Sequence, residues 1–332
     1  MSIVSNQSMQ FRVLVVGASP DQLNSNIHIR SYVVNGFKSF LGKDLAREVS
    51  LEHAENAISS WTPNIVVIFG SCMPDLSVYL GIKKLCKSLE IPIAFWLHDD
   101  PYEFDYSPKV ERIADWIFSN DRWASMHYNS DNVFHLPLAG CPETHFRDWS
   151  SQKKHQIFFC GVAFPNRIQL ITDLSGTLSK YATYICGRSW PQEKEYIQNK
   201  TLSNNEVTDL VSLSTVTINI GRNFNLANNR FQLDPSTPGP RTFEAAMSGT
   251  VQLYYSDSLE VTDYFTPNQE ILLFDSPTSF KLHIEKILDQ PLEAKNIALA
   301  AQKRAIADHT YENRCRQLLD KCKLTIDYIR LQ

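Results

Sequence analysis

The chain has 332 residues, a formal net charge of −4, 20% charged and 43% hydrophobic residues. At roughly 150 residues per domain it has room for about two cores, and the apolar share excludes a disordered chain. Only twelve glycines exclude collagen-like and linker-rich sequences, and the slight acidic excess argues against nucleic acid as a partner, which calls for a basic surplus.

Residues 11–16 read as a first strand, apolar except for Arg12 and closed by Gly17-Ala18-Ser19. Ile29, Tyr32, Val33, Phe37, Phe40 and Leu41 then recur mostly at spacings of three and four, the period of a helix. A helix over 54–61, a strand over 65–69 and a helix over 80–89 follow. A third strand over 91–97 runs into His98-Asp99-Asp100-Pro101. Residues 116–119 and 133–136 read as two more short strands. Strand alternating with helix is the rhythm of a doubly wound parallel sheet, and open α/β sheets bind ligands at the carboxyl ends of their strands.

The polar stretch over 148–154 reads as a linker, after which the rhythm restarts. Strands are predicted over 156–160, 181–186, 216–220, 251–255 and 271–274. Helices are predicted over 168–178, 207–214, from Arg241 to Met247, and over 279–288, 294–309 and 312–329. The fold class is therefore α/β, with two consecutive domains at 9–149 and 150–310 and a helical end at 311–332.

The apolar run from Val13 to Val16 is too short for a signal-peptide core, and no stretch approaches the ~18 apolar residues of a membrane span. The seven cysteines are odd in number, scattered, and include no C-x-x-C pair, so they read as reduced thiols of a cytoplasmic protein. Contact with the inner face of a membrane stays open. No clustered Cys and His suggest zinc.

Three segments carry chemistry. The loop Val16-Gly17-Ala18-Ser19-Pro20-Asp21 has one glycine where a dinucleotide fingerprint needs three, so it reads as a tight βα turn. In WLHDDPYEFD, His98, Asp99 and Asp100 follow a strand directly, where titratable groups are costly to desolvate without partners or a task. His98 and Asp100 are the candidate catalytic groups, against a plain turn in which aspartate caps the next helix. Asp99-Asp100 is not the D-x-D of a metal-bound diphosphate, so no metal is expected.

The third segment, PGPRTFEAAMSGTVQLYYSD, places Arg241 and Thr242 at a helix start, where free N–H groups favour an anion. Glu244 lies one turn in, placed to accept hydrogen bonds from the vicinal hydroxyls of a ribose. The alternative is a charge that only stabilises the helix. Arg188 and Arg222 each follow a strand-ending glycine and alone read as solvated arginines; together with Arg167, six residues past Gly161, they suit a diphosphate.

RTFEAAMSGT, DYFTPNQEILLFDSPTSF and ADHTYENRCRQLL, between Arg241 and Leu319, resemble the donor-binding module of group-1-like glycosyltransferases of the spore-maturation, CgeB-type branch. The resemblance implies the GT-B fold, two Rossmann-like domains facing across a cleft, with the acceptor mainly on the first and the donor nucleotide on the second. It implies that Glu244 contacts the donor ribose, that Arg241 and Thr242 lie beside the diphosphate, and that Gly161 and Arg167 belong to the donor site. It also sets His98 near the reacting sugar and returns the last helix to the first domain. Ser236 departs from the family, since many relatives carry a glutamate eight residues before the ribose carboxylate.

The expected function is therefore transfer of a sugar from a nucleoside diphosphate sugar to an acceptor hydroxyl in glycan or glycoconjugate biosynthesis. No metal or other cofactor is expected, and the acceptor is a glycan, a lipid-linked or a small molecule. A sugar-nucleotide 2-epimerase of the same architecture and a non-catalytic sugar-nucleotide binder are the alternatives.

Overall fold

The structure is a computed structural model that describes residues 11–23, 27–191, 194–256 and 258–323. The chain divides into two compact units. The first runs to Leu138 and also takes in Asn225–Pro235 and the chain from Tyr311 onward; the second is Ala139–Phe224 with Ser236–Thr310. The division thus falls at Leu138, ahead of the polar stretch over 148–154.

The first unit holds β1 (Val13–Gly17), β2 (Ala46–Val49), β3 (Ile65–Phe69), β4 (Ile93–Leu97), β5 (Trp116–Ser119) and β6 (Val133–His135). They form one sheet in the order β2-β1-β3-β4-β5-β6, parallel throughout. Every residue of β1, β3 and β4 is buried, as expected of strands with helices on both faces. The helices Ile27–Leu41, Ala54–Trp61 and Leu76–Ser88 alternate with them. β2 is absent from the sequence reading because it is an edge strand whose Arg47 and Glu48 face solvent, so it carries no apolar run.

The helix Tyr311–Lys321 packs in this unit against Ile27–Leu41. Gly36 makes room for it: a Cβ there would lie 2.7 Å from the Tyr311 carbonyl. Arg314, 3% exposed, donates to the carbonyl of Pro137 at 3.0 Å. Residues 324–329 of the predicted last helix lie outside the described residues.

The second unit holds β7 (His155–Cys160), β8 (Thr183–Gly187), β9 (Ile197–Asn199), β10 (Ser214–Asn219), β11 (Val251–Tyr255) and β12 (Leu272–Phe274). Their order is β12-β11-β10-β7-β8-β9, again all parallel. Ile157, Phe159, Val216, Ile218, Leu253 and Phe274 anchor the core. The short exposed edge strand β9 was not predicted. The helix expected over 168–178 breaks at Leu174 into Pro165–Asp173 and Ser175–Leu178. Among the described residues no helix is long and apolar enough to cross a membrane.

Each sheet has one point where the winding direction reverses: between β1 and β3 in the first, between β7 and β10 in the second. At such a point adjacent strands send their following loops apart, which opens a crevice at their carboxyl ends.

Candidate functional site

In the first unit, the segments after β1 and β3 are tied together by their own side chains. A Cβ on Gly17 would collide with the Arg30 guanidinium. Arg30 is 5% exposed and held by Asp21 at 2.6 and 3.1 Å and by Glu48 at 3.2 Å. Ser19 donates to the Ser71 carbonyl at 2.6 Å. Gly17 is therefore required by packing, as the tight-turn reading has it.

His98 follows β4 and is largely buried, its ring edge-on to Phe69 at 5.6 Å. Asp100 is 1% exposed and accepts hydrogen bonds from Ser107 at 2.6 Å, Ser119 at 2.7 Å and Tyr128 at 2.7 Å. Its backbone exchanges two hydrogen bonds with the Asn120 amide, both 2.9 Å. Burial pushes its carboxyl up to about 6, with the three hydroxyls pulling back. The sequence placed Asp100 beside the acceptor. The structure makes it the centre around which its own loop is built, with no carboxylate edge turned to solvent.

The second unit is arranged differently. Gly187 has φ +143° and a Cβ there would strike the carbonyl oxygen of Gly161. Gly161 donates to the Cys186 carbonyl at 3.0 Å and accepts from the Trp190 indole at 2.9 Å. Two strand ends meet here backbone to backbone. Arg167 spans the reversal point itself. Its Nη1 donates to Val162 at 3.1 Å, Nη2 to Ile220 at 3.0 Å and Nε to Gly221 at 3.2 Å, all carbonyls. The guanidinium thus draws the segments after β7 and β10 together. Arg222 lies half-buried in the segment after β10, and Arg188 is exposed.

The helix Pro240–Met247 begins over the end of β10. Its N-cap is Gly239, which supplies no side-chain acceptor, so the first turn is not capped from within. Thr242 is wholly buried and faces the sheet: its hydroxyl accepts from Asn219 at 2.8 Å, and its carbonyl accepts from Gln252 at 2.9 Å. Its hydroxyl is thus engaged by the sheet, on the side of the helix that packs on β10.

Arg241 and Glu244 do come together, 3.1 Å between Nη1 and Oε2, with the arginine side chain 36% and the glutamate side chain 11% exposed. The other carboxylate oxygen lies 3.7 Å from Nε2 of His145. His145 Nδ1 accepts from the Cys141 N–H at 3.0 Å, so the neutral ring carries its proton on Nε2, toward Glu244. Burial lowers the His145 pKa, with Glu244 opposing. The carboxylate is thereby paired with one cation and lies close to a neutral imidazole. His145 escaped the sequence reading because nothing in TH-F marks it; only the fold brings it to the helix.

The position of the missing family glutamate is also informative. The Ser236 carbonyl accepts from Ser258 at 2.7 Å. Next to it, Thr237 donates to Glu260 at 3.0 and 3.1 Å, and Tyr264 donates to Glu260 at 2.6 Å. A carboxylate does stand beside this segment, supplied from another part of the chain.

Residues 167–320 match the glycosyl transferase-like family. The match begins at Arg167 and includes Arg222, Arg241, Thr242 and Glu244, so the resemblance read from 241–319 holds and extends further toward the N-terminus. The chain is similar to spore protein CgeB of Bacillus subtilis (strain 168), 23% identical over 248 residues, 68% of this chain and 74% of CgeB. Among solved structures it is similar to a sucrose-phosphate synthase of Thermosynechococcus elongatus, with 10% identity, a TM-score of 0.61, and 94% and 98% of the two chains covered. HepE of Anabaena in complex with UDP and glucose gives 8% identity, a TM-score of 0.62 and coverage of 95% and 100%. A UDP-N-acetylglucosamine 2-epimerase gives 10% identity, a TM-score of 0.55 and coverage of 96% and 97%. The fold is GT-B, and the family match and the CgeB likeness support sugar transfer as the reaction class.

Proposed function

We propose that this protein transfers a sugar from a nucleoside diphosphate sugar to an acceptor hydroxyl, and that the donor is held at the carboxyl edge of the second sheet. The observation that carries the reading is Glu244: a carboxylate 8% exposed, one turn into the helix inside the matched module, paired with Arg241 and close to His145. A carboxylate held in one orientation recognises a vicinal diol, because its two oxygens accept one hydrogen bond from each hydroxyl. UDP is the first probe to use, since HepE binds it.

The acceptor oxygen attacks the anomeric carbon, the bond to the diphosphate breaks, and the acceptor proton leaves with a base. Negative charge grows on the departing diphosphate. Arg241 keeps donors beyond the one spent on Glu244, and the uncapped first turn of its helix adds a positive end. Such preorganised donors act without a metal ion, and losing one typically costs ~3 kcal/mol in the barrier. Gly161 and Gly187 keep the neighbouring strand ends free of side chains, and Arg222 is assigned a supporting contact. His98 is assigned to the acceptor side, while Arg167, Thr242 and Asp100 act by holding the loops. The acceptor class is a glycan, a lipid-linked or a small molecule, with peripheral membrane contact part of the proposal. Cytoplasmic action is part of it too, in keeping with seven free thiols.

Calorimetry with UDP tests the donor assignment. Glu244→Ala is expected to weaken binding at least about tenfold, or about 1.4 kcal/mol, with melting little changed. Unaltered affinity removes Glu244 from the site. Conversion of the donor without any acceptor would instead favour the epimerase reading, and activity abolished by EDTA would overturn metal independence.

A further inference from the structure

We propose that Cys160 and Cys186 form a dithiol at the carboxyl edge of the second sheet that hydroperoxides close to a disulfide. The two residues are register partners on the adjacent parallel strands β7 and β8, so their side chains stand on the same face. Neighbouring strands lie about 4.8 Å apart, and a disulfide accepts Cα separations of roughly 4.4–6.8 Å. Both pack in one small cluster with Phe158, Val207, Val211 and Ala245. Cys160 is half-buried, whereas the other six cysteines are buried.

The pair is asymmetric in the way such chemistry needs. The paired Cys186 thiol, with Arg241 and Arg167 nearby, pulls the Cys160 thiol below its ordinary range despite burial. The same pairing and burial push Cys186 up. Cys160 is thus the nucleophile and Cys186 the resolving thiol. Elsewhere burial pushes Cys86 to about 11 and Cys72 and Cys141 to about 12, which leaves those thiols inert.

The steps balance with a hydroperoxide as the oxidant. The Cys160 thiolate attacks one peroxide oxygen, the O–O bond breaks, and hydroxide leaves to take up a proton as water. The resulting sulfenic acid is attacked at sulfur by Cys186. The S–O bond breaks, and the departing hydroxide leaves as water with the proton Cys186 gives up. Two thiols are oxidised and one peroxide is reduced to two molecules of water. The bridge closes beside Gly161 and Gly187, yet its formation does not depend on what binds there.

The protein, treated with hydrogen peroxide, quenched with catalase, unfolded in denaturant, alkylated with iodoacetamide and digested, gives the test. The expected product is a linked peptide pair containing Cys160 and Cys186, reversible by a thiol reductant, with the other five of the seven cysteines alkylated. In the folded protein without peroxide, Cys160 is expected to alkylate about tenfold faster than any other cysteine. In Cys186→Ser the oxidised Cys160 is expected to be trapped by dimedone as the sulfenic acid. Should that variant not fold, the peptide map of the parent decides alone. Full alkylation of both residues after excess peroxide, or a bridge to a different cysteine, overturns the proposal.

Discussion

At the carboxyl edge of the first sheet, Asp100 accepts from three hydroxyls and is 1% exposed; at the same edge of the second, Glu244 shares its charge with an arginine whose side chain is 36% exposed. Both are acidic residues just past a strand or at a helix start, and both are buried. They differ in what remains to be bound. Around Asp100, protein donors occupy the oxygens and hold the loop rigid. Around Glu244 the partner is a long side chain that reaches solvent and has further N–H groups to give. The same contrast separates Arg167, which spends its guanidinium on three backbone carbonyls, from Arg241. A charged residue at a sheet edge points to a ligand only when its hydrogen-bonding capacity is not consumed by the fold.

The largest effect is expected where the second edge is built from backbone alone. Gly187→Ala places a Cβ against the Gly161 carbonyl at φ +143°. Neither strand end can retreat without breaking the β7–β8 ladder, so a loss of about 3 kcal/mol or more is expected, seen as a large drop in melting temperature. Gly176→Ala, with open space around its Cα, is the control and should melt close to the parent. If Gly187→Ala melts like the parent too, the close approach of the two strand ends is wrong.

Next comes the sealed carboxyl of the first edge. Asp100 titrates at about 6 in the folded chain, against about 3.9 unfolded. Between those values the native state keeps a proton that the unfolded chain has released, so stability falls as pH rises from about 4 to about 6. Full linkage is about 3 kcal/mol. Denaturant titrations across that range should show the decline in the parent and its loss in Asp100→Asn. A decline of equal size in the variant would show that Asp100 is not the group responsible.

The alternating architecture was legible in the sequence because buried parallel strands are apolar on both faces, and β1, β3, β4, β7, β10 and β11 all announce themselves. β2 and β9 were not legible: edge strands borrow their stability from one neighbour and leave polar residues outside. At the site, Arg241 and Glu244 were readable from their spacing in one helix. His145 and Glu260 were not, because they reach the helix and the Ser236 segment only through the fold. The direction of the Thr242 side chain was not legible for a related reason. A residue at the second or third helical position faces either the open end or the sheet, and the side-chain direction is set by how the helix is rotated on β10.

That rotation is what the smallest prediction examines. Thr242→Val keeps the shape of the side chain and removes only the hydroxyl that accepts from Asn219. Asn219 retains a longer hydrogen bond to Gln252 at 3.3 Å, so the cost should be moderate, about 1–2 kcal/mol in thermal or denaturant unfolding. UDP affinity should stay within about twofold, since a hydroxyl turned to the sheet makes no contact with a ligand at the open end of the helix. Arg241→Gln should do the reverse: little change in stability, because its side chain is partly exposed, and about tenfold weaker binding. If Thr242→Val weakens UDP as much as Arg241→Gln does, the helix must present a different face to the donor, and the distinction between groups spent on the fold and groups left for the ligand fails at the place where it matters most.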